Sequence, residues 1–261
     1  MNIVVCLKQV PGTTKVKIDP QTNTLVRQGI ESIVNPFDTY ALEEGVRIKE
    51  KYTGKVTAIS MGPSQAEEIL REAISLGADE VVLLSDSAFA GSDTWATAYT
   101  LAKAVEKLNQ YDLVICGRQT LDGDTGQVGP ELAEMLNIPF VAYVSKIEEI
   151  SDKYIRVRRM VEEGYEVIEM SLPAVITVVK EINIPRLPSL RGLAKSKNAV
   201  IAVWTADDLS MDKSLVGLSG SATRVVKIFV PQRIHHSEIL NGELNQQVDT
   251  LVDRLRENKV V

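Results

Sequence analysis

The strongest constraint on the fold is an alternation of short apolar runs and helical patterns through the first 140 residues. Four runs have the continuous apolar character of strands covered on both faces: residues 2–7, 55–61, 80–84 and 112–116. A helical pattern follows each run. This order of elements predicts right-handed βαβ units, and therefore a parallel sheet with helices on both faces.

Local signals predict where these helices begin and end. The predicted terminal residues are the N-cap Asp38, the capping box of Ser64 with Glu67, the C-cap Gly77, the N-cap Asp93 or Ser92, and Pro130 as the first residue of the fourth helix. The third helix is expected to reach about Leu108. Together, the strands and helices predict an α/β, three-layer nucleotide-binding domain over residues 1–205.

The pattern changes after about residue 140. Residues 154–158, 166–170 and 174–179 are strand-like, and a Glu-Glu-Gly turn at 162–164 joins the first two, which predicts an antiparallel extension on the same sheet. Residues 184–198 are rich in proline and basic side chains, which suits a solvated loop or a docking surface. After a short strand near 200–204, we expect residues 206–261 to form a C-terminal arm that ends in a helix at about 243–257 and packs on a partner.

Charge and ligand counts exclude several classes of function. The chain has 29 Lys and Arg against 35 Asp and Glu, a net charge of −6, which disfavours nucleic-acid binding. Its two cysteines form no CxxC pair, and its histidines are the neighbours His235 and His236, so we expect no metal site and no Ser-His-Asp hydrolase. We expect a cytoplasmic protein without a signal peptide or a membrane span, since residues 170–179 are the longest uncharged apolar stretch.

The most informative segment for function is the loop GRQTLDGDTGQVGP at residues 117–130, which follows a predicted strand and precedes a predicted helix. In an open parallel sheet, ligands bind beyond the carboxyl ends of the strands. Glycines let the backbone approach a ligand closely, and a helix N-terminus offers free N–H groups to a phosphate. The loop matches neither the P-loop nor the GxGxxG pattern. It favours nucleotide or phosphate binding, with a purely structural loop as the alternative.

Residues beside the first two predicted strands can reach the same crevice. These are Cys6, the segment 35–38 and Met61. Each also has a structural interpretation: Cys6 as a small buried apolar residue, Asp38 as a helix cap and Met61 as core.

Residues 157–177 carry a more specific pattern. The segment VRRMVEEGYEVI, continued by PAVIT, resembles the signature of the β subunits of electron transfer flavoproteins: a basic residue, an acidic and glycine cluster, Glu, an aliphatic residue, then Pro and two aliphatic residues. The segments Asn35-Pro36-Phe37 and Met61-Gly62-Pro63 resemble further motifs of that family. The resemblance covers essentially the whole chain.

This resemblance implies a heterodimer with an α subunit and an adenine nucleotide in the crevice of the β subunit. The nucleotide is AMP in conventional members and FAD in bifurcating ones. By position, the implied cofactor-binding residues are Cys6, Asn35, Pro36, Phe37, Asp38, Met61, Gly117, Arg118, Gln119, Thr120, Leu121, Asp122, Gly123, Asp124, Thr125, Gly126, Gln127 and Val128. The family's partner-docking leucine falls on Leu190, next to Arg191.

The loop also distinguishes the subgroups. Conventional members carry an Asp-Asp-Asp…Asn-Gln-Thr-Gly type of loop, whereas DGDTGQVGP at residues 122–130 resembles the bifurcating form. That form implies a FAD that accepts hydride from NADH, with one electron passing to ferredoxin or flavodoxin and the other through the α-subunit FAD to an acyl-CoA dehydrogenase. We expect Thr125 and Gln127 to contact phosphate and Asp124 to shape the loop.

The sequence leaves two alternative functions open. One is a conventional β subunit that holds AMP. The other is a stand-alone adenine-nucleotide sensor of the universal-stress-protein type. The Gly-x2-Gly-x9-Gly-Ser/Thr loop of such sensors is not found between residues 117 and 130.

Overall fold

The computed structural model describes residues 1–12, 32–226 and 237–260, together with the backbone of two short strands between residues 17 and 26. The chain divides into two units, Met1–Val226 and Lys227–Val261. The strands are β1 (Asn2–Leu7), β2 (Gln9–Pro11), β3 (Lys17–Ile18), β4 (Leu25–Val26), β5 (Ser32–Val34), β6 (Lys55–Met61), β7 (Glu80–Leu84), β8 (Leu113–Gly117), β9 (Phe140–Ile150), β10 (Tyr154–Val161), β11 (Gly164–Ser171), β12 (Ala174–Val178) and β13 (Ala202–Trp204).

Nine of these strands form one sheet in the order β11-β10-β9-β12-β8-β1-β6-β7-β13. The neighbours from β9 to β13 pair in parallel, whereas β9, β10 and β11 pair antiparallel. The predicted α/β fold with a parallel sheet and an antiparallel extension is therefore confirmed. The extension is the hairpin of β10 and β11. The strand-like segment at 174–179 is instead β12, a central parallel strand beside β8.

Helices cover both faces of this sheet. They are α1 (Pro36–Tyr52), α2 (Glu67–Leu76), α3 (Thr94–Leu108), α4 (Val128–Leu136), α5 (Leu190–Lys197), α6 (Gly217–Gly220) and, in the second unit, α7 (Leu244–Glu257). Side chains of β1 alternate between two cores: Ile3 and Val5 share one with α1 and α2, and Val4 shares the other with α3 and α4. This alternation produces the predicted three layers.

The prediction that Asp38 is the N-cap of the first helix is wrong. Helix α1 begins at Pro36 with Asn35 at the N-cap position, because a proline fits the first turn, where its missing N–H is not needed. Asp38 lies in the first turn, and its buried carboxylate accepts a hydrogen bond from the backbone N–H of Lys8. Asp93 does cap α3, and Gly77 ends α2, as predicted.

Two further helix starts differ from the prediction. Ser64 and Glu67 do not form a capping box, because residues Ser64–Ala66 form a 3-10 turn and no side chain caps α2. Helix α4 starts at Val128 rather than at Pro130, which occupies its first turn.

The region after residue 140 contains two elements that the sequence patterns do not predict. One is the eleven-residue strand β9. The other is α5, which lies within the segment 184–198 and is capped by the Ser189 hydroxyl through a bond from the Gly192 N–H.

The chain after β13 continues in the same compact unit. Ala206, Leu209, Met211 and Val216 are buried in the core that includes α3 and α4, so the stretch after residue 205 contributes to this core. In the second unit, Leu244, Val248 and Leu251 of α7 are exposed. That residues 206–261 pack on a partner stays a prediction. His235 and His236 lie outside the described residues. Among the described helices, none combines the length and apolar character needed to cross a membrane.

Candidate functional site

The carboxyl ends of β1, β6 and β8 meet at one edge of the sheet. Cys6 of β1 pairs with Ile59 of β6 and with Cys116 of β8, so the three strands end side by side. Met61 and Gly117 are the last residues of β6 and β8. The structure thus places Cys6, Met61 and the start of the loop 117–128 along one edge, where open parallel sheets bind ligands.

Asn35 joins the start of α1 to this loop. Its side chain is fully buried, at 0% exposure. Its amide Nδ2 donates to the carbonyl of Gln119 at 2.9 Å, and its Oδ1 accepts from the N–H of Leu121 at 3.2 Å. Its own N–H donates to the carbonyl of Lys8 at 2.9 Å. One asparagine therefore fixes the first half of the loop relative to both β1 and α1.

Asp38 makes a second connection beneath the loop. Its Oδ2 accepts from the N–H of Lys8 at 2.8 Å. A Cβ at Gly117 would overlap with the Asp38 carboxylate, so this approach requires glycine. Burial raises the pKa of Asp38 to about 7, against the lowering effect of hydrogen bonds from Asn35 and from the backbones of Lys8 and Gly117. The Asp38 carboxylate thus faces the protein's own backbone, which makes it a positioning group.

Lys8 is a functional candidate that the sequence patterns do not single out. Its ammonium group contacts Asp122 Oδ2 at 2.7 Å, across 114 residues of sequence. Burial raises the pKa of Asp122, but the hydrogen bond from Lys8 and the positive charge of Lys8 outweigh this effect, and the pKa of Asp122 lies below its usual value. The signal available in the sequence is its position directly after a predicted buried strand. Lys8 neutralises one of the two loop carboxylates.

The second half of the loop has free backbone donors. In the described part of the chain, the N–H groups of residues 125–128 have no hydrogen-bond acceptor. Asp124 and Gly126 have φ angles of 52° and 64°, which turn this backbone sharply before α4. The Gln119 amide donates to the Asp124 carboxylate, which ties this acidic group to the protein. The loop therefore presents amide donors ahead of a helix N-terminus, an arrangement that suits a phosphate.

A cavity of about 590 Å³ adjoins Phe37 and Arg118. The Arg118 guanidinium carbon lies 5.5 Å from the centres of both the Phe37 and Tyr143 rings, within the range of cation–π contacts. Arg159 and Lys180 also line the cavity. The sequence patterns do not indicate Tyr143, because it lies in the unpredicted strand β9.

The side chains of Cys6, Leu190 and Arg191 do not line this cavity. The side chains of Cys6 and Cys116 are buried in the core shared with α3 and α4. The hydrogen bond that the Cys116 thiol donates to Cys6, together with burial, raises the pKa of Cys116 well above its usual value, so this thiol stays neutral. Leu190 and Arg191 are on α5, which packs against α2. In the described residues, no group of three or more His, Cys, Asp or Glu side chains is placed to hold a metal ion.

Comparison with known proteins assigns the family. A family model for the electron transfer flavoprotein domain matches residues 22–209. The chain is 53% identical to an electron transfer flavoprotein subunit beta of Thermoanaerobacterium thermosaccharolyticum, over 100% of both chains. It is 45% identical to the caffeyl-CoA reductase–Etf complex subunit CarD of Acetobacterium woodii, over 100% of both chains. It is 42% identical to the protein FixA of Azotobacter vinelandii, over 93% of this chain and 89% of that one. The chain therefore belongs to the electron transfer flavoprotein family, as a β subunit.

Proposed function

We propose that this β subunit binds FAD in the crevice and that this FAD is the entry point for electrons from NADH. Electrons then leave to ferredoxin or flavodoxin and, through the FAD of an α subunit, to an acyl-CoA dehydrogenase. The observation that carries this proposal is the set of free amide donors at residues 125–128, presented ahead of α4 by a loop that Asn35 and Lys8 hold in place.

The residues present fit the phosphates of such a cofactor. The free N–H groups and the positive end of the α4 dipole suit negative charge. Both loop carboxylates are engaged, Asp122 by Lys8 and Asp124 by Gln119, so their repulsion of an anion is reduced. Thr125 and Gln127 are exposed in this stretch and are proposed to donate to phosphate oxygens.

The space beside this loop supports a dinucleotide. The cavity of about 590 Å³ next to Phe37 and Arg118 has room for a ring system. A FAD bound here supplies the redox chemistry, namely hydride acceptance and single-electron transfer. The chain's own residues bind and orient it. The Arg118 cation, which lies 5.5 Å from the centres of two aromatic rings, adds positive charge at the cavity wall.

The proposed partners follow from the family and from the second unit. The names of the relatives describe a subunit and a reductase–Etf complex, which supports an α subunit and a dehydrogenase-type partner. Leu244, Val248 and Leu251 lie at helical spacing and are exposed on α7, as expected of a helix that packs on another chain. We place the complex in the cytoplasm.

A conventional β subunit that holds AMP is the second candidate. One helix N-terminus with a short run of free amides also suits a single phosphate. A stand-alone nucleotide sensor is the weakest candidate, because it gives no role to the exposed helix α7.

The proposal is tested by removing the side-chain donors of the loop. The double variant Thr125→Val, Gln127→Ala should lower the flavin content of the purified heterodimer towards one FAD and abolish NADH oxidation. The remaining α-subunit flavin should still be reduced by dithionite. Gln110→Ala, which removes an exposed glutamine after α3, is the control and should retain the wild-type values. Unchanged flavin content and NADH oxidation in the double variant would refute the assignment of these side chains.

A further inference from the structure

The side chain of every third residue in the segment between the turn Lys180–Ile182 and α5 makes a hydrogen bond or an ion pair, two of them with α1 and the third with α5 itself. Asn183 Nδ2 donates to the carbonyl of Tyr40 at 3.0 Å and to Glu44 at 2.9 Å. Arg186 binds carboxylates of α1. Ser189 caps α5. The segment has no helix or strand of its own between residues 183 and 189, so these side chains determine its path.

Arg186 makes the most extensive of these contacts. Its Nε donates to Glu43 Oε2 at 2.8 Å, and its Nη1 donates to Glu50 Oε1 at 2.6 Å. Its Nη2 reaches both carboxylates, at 3.2 Å and 3.0 Å, and its backbone N–H donates to Glu43. Glu43 is almost fully buried, at 7% exposure. A planar guanidinium with several fixed donors can bridge two carboxylates in this way, whereas an ammonium group cannot.

The residues one position further along point outwards. Ile184, Leu187 and Leu190 are 90%, 88% and 88% exposed. We call these three side chains the apolar ridge. Their spacing of three matches the three-residue turn of an extended polyproline-type chain, which Pro185 and Pro188 favour. Three neighbouring large apolar side chains at such exposure are characteristic of an interaction surface.

The far end of this segment is fixed as well. Helix α5 packs against α2, and Arg71 of α2 donates to the carbonyls of Ser196 and Ala199 at 3.0 Å and 3.2 Å. Both ends of the apolar ridge are therefore attached to helices of the main domain. Because the ridge is already held in place, it loses little further conformational entropy when it binds a partner.

We propose that Arg186 is a positioning residue which, with Glu43 and Glu50, holds the apolar ridge in the conformation that docks the dehydrogenase partner. The proposal rests on the proposed electron-transfer function and extends the predicted docking residue Leu190 to three side chains. The expected partner surface is an apolar groove with an acidic rim. Arg191, the residue after Leu190, is exposed next to the ridge, in a chain whose net charge is −6.

The test measures docking separately from NADH oxidation. The complete heterodimer is reduced with dithionite, and its electron transfer to a purified acyl-CoA dehydrogenase is followed by the reduction of that enzyme's enoyl-CoA product. The variants are Arg186→Ala, Arg186→Lys, Leu187→Ser and Leu190→Ala. Because Arg186→Ala leaves Glu43 buried without its partner, Glu50→Gln is included as a milder change at an exposed carboxylate. Arg156→Ala is the matched control, since Arg156 of β10 also bridges two carboxylates, Glu149 on β9 and Glu169 on β11.

The expected result is that the substitutions change the KM for the dehydrogenase but not kcat. Arg186→Ala should raise the KM for the dehydrogenase about tenfold without changing kcat, and it should speed hydrogen exchange of residues 184–190. Arg186→Lys and Glu50→Gln should show smaller rises of the same kind. Leu187→Ser and Leu190→Ala should raise the KM without faster exchange. Arg156→Ala should match the wild type.

Two results would overturn the inference. One is a KM for Arg186→Ala within twofold of the wild-type value while residues 184–190 exchange faster. The other is a parallel loss of kcat, NADH oxidation and partner affinity, which would show a general structural role. A wild-type heterodimer that fails to oxidise NADH yet transfers electrons after dithionite reduction would refute only the proposed NADH entry point, and the KM comparison would still decide the role of Arg186.

Discussion

Replacing Asn35 by alanine tests how the crevice is built. The substitution removes a donor 2.9 Å from the Gln119 carbonyl and an acceptor 3.2 Å from the Leu121 N–H. Both backbone groups are partly buried, so each loses a hydrogen bond that water replaces only in part. The loss of two such bonds costs about 2–3 kcal/mol.

This cost falls on the conformation of the loop that we propose binds the nucleotide. Gln119 and Leu121 precede the free amides at residues 125–128, so a loosened loop presents those amides less often. Apparent affinity falls with the fraction of molecules in the competent conformation. We therefore expect the Kd for the nucleotide to rise by up to about 30- to 150-fold in Asn35→Ala.

The assay is equilibrium binding of FAD, and separately of AMP, to heterodimer from which the β-subunit nucleotide has been removed. Asn241→Ala is the control, because Asn241 is exposed and makes one local hydrogen bond, to the Ile239 carbonyl. It should leave the Kd unchanged. An Asn35→Ala heterodimer that binds with wild-type affinity would show that the loop holds its conformation without Asn35 and would refute this reasoning.

Three further predictions concern stability and assembly. The pKa of Asp38 is about 7 in the folded state and about 3.8 in the unfolded chain, so the stability that Asp38 contributes is complete below pH 4 and is lost as the pH rises through 7. In urea unfolding, the stability of the wild type relative to Asp38→Asn should fall by about 2–3 kcal/mol from pH 5 to pH 8. A constant difference between the two proteins would contradict this pKa assignment. Gly129→Ala should lower the free energy of unfolding by about 1–3 kcal/mol, because the new Cβ would overlap with the Thr177 methyl group. Gly123→Ala is the control and should change the free energy of unfolding little, because the nearest atom to its Cβ would be 3.4 Å away. Equal effects of the two substitutions would contradict this packing. Limited proteolysis should cut the unit Lys227–Val261 in the isolated chain and spare it in the heterodimer, and equal cleavage in both would argue against the arm packing on the α subunit.

The central sheet could be predicted because its strands are buried on both faces. The continuous apolar runs that end at Leu7, Met61 and Leu84 leave few other ways to cover them. Strand β9 is different. It carries Lys146, Glu148 and Glu149, and charged residues are uncommon in strands unless cross-strand partners accommodate them. Those partners are on β10, where Arg156 contacts Glu149 at 2.7 Å.

The crevice, like the sheet, could be predicted from the sequence only in part. The loop 117–128 is evident from its glycines and from its place between a strand and a helix. The roles within it depend on contacts that no local pattern encodes, such as the hydrogen bond between Lys8 and Asp122 across 114 residues. Asp38 has the residue type of a helix cap, yet its burial against the backbone of Lys8 assigns it another role. Helix α5 escaped prediction because two prolines precede it closely and its basic residues are typical of a loop, although Ser189 provided a cap signal.

The most direct test of the proposed function is a count of bound nucleotides in the purified wild-type heterodimer. Flavin is counted by its visible spectrum, AMP by chromatography of the released nucleotides, and NADH oxidation is measured on the same sample. We predict two FAD per heterodimer, no AMP, and oxidation of NADH. One FAD with one AMP, and no NADH oxidation, would contradict the FAD assignment and identify a conventional electron carrier.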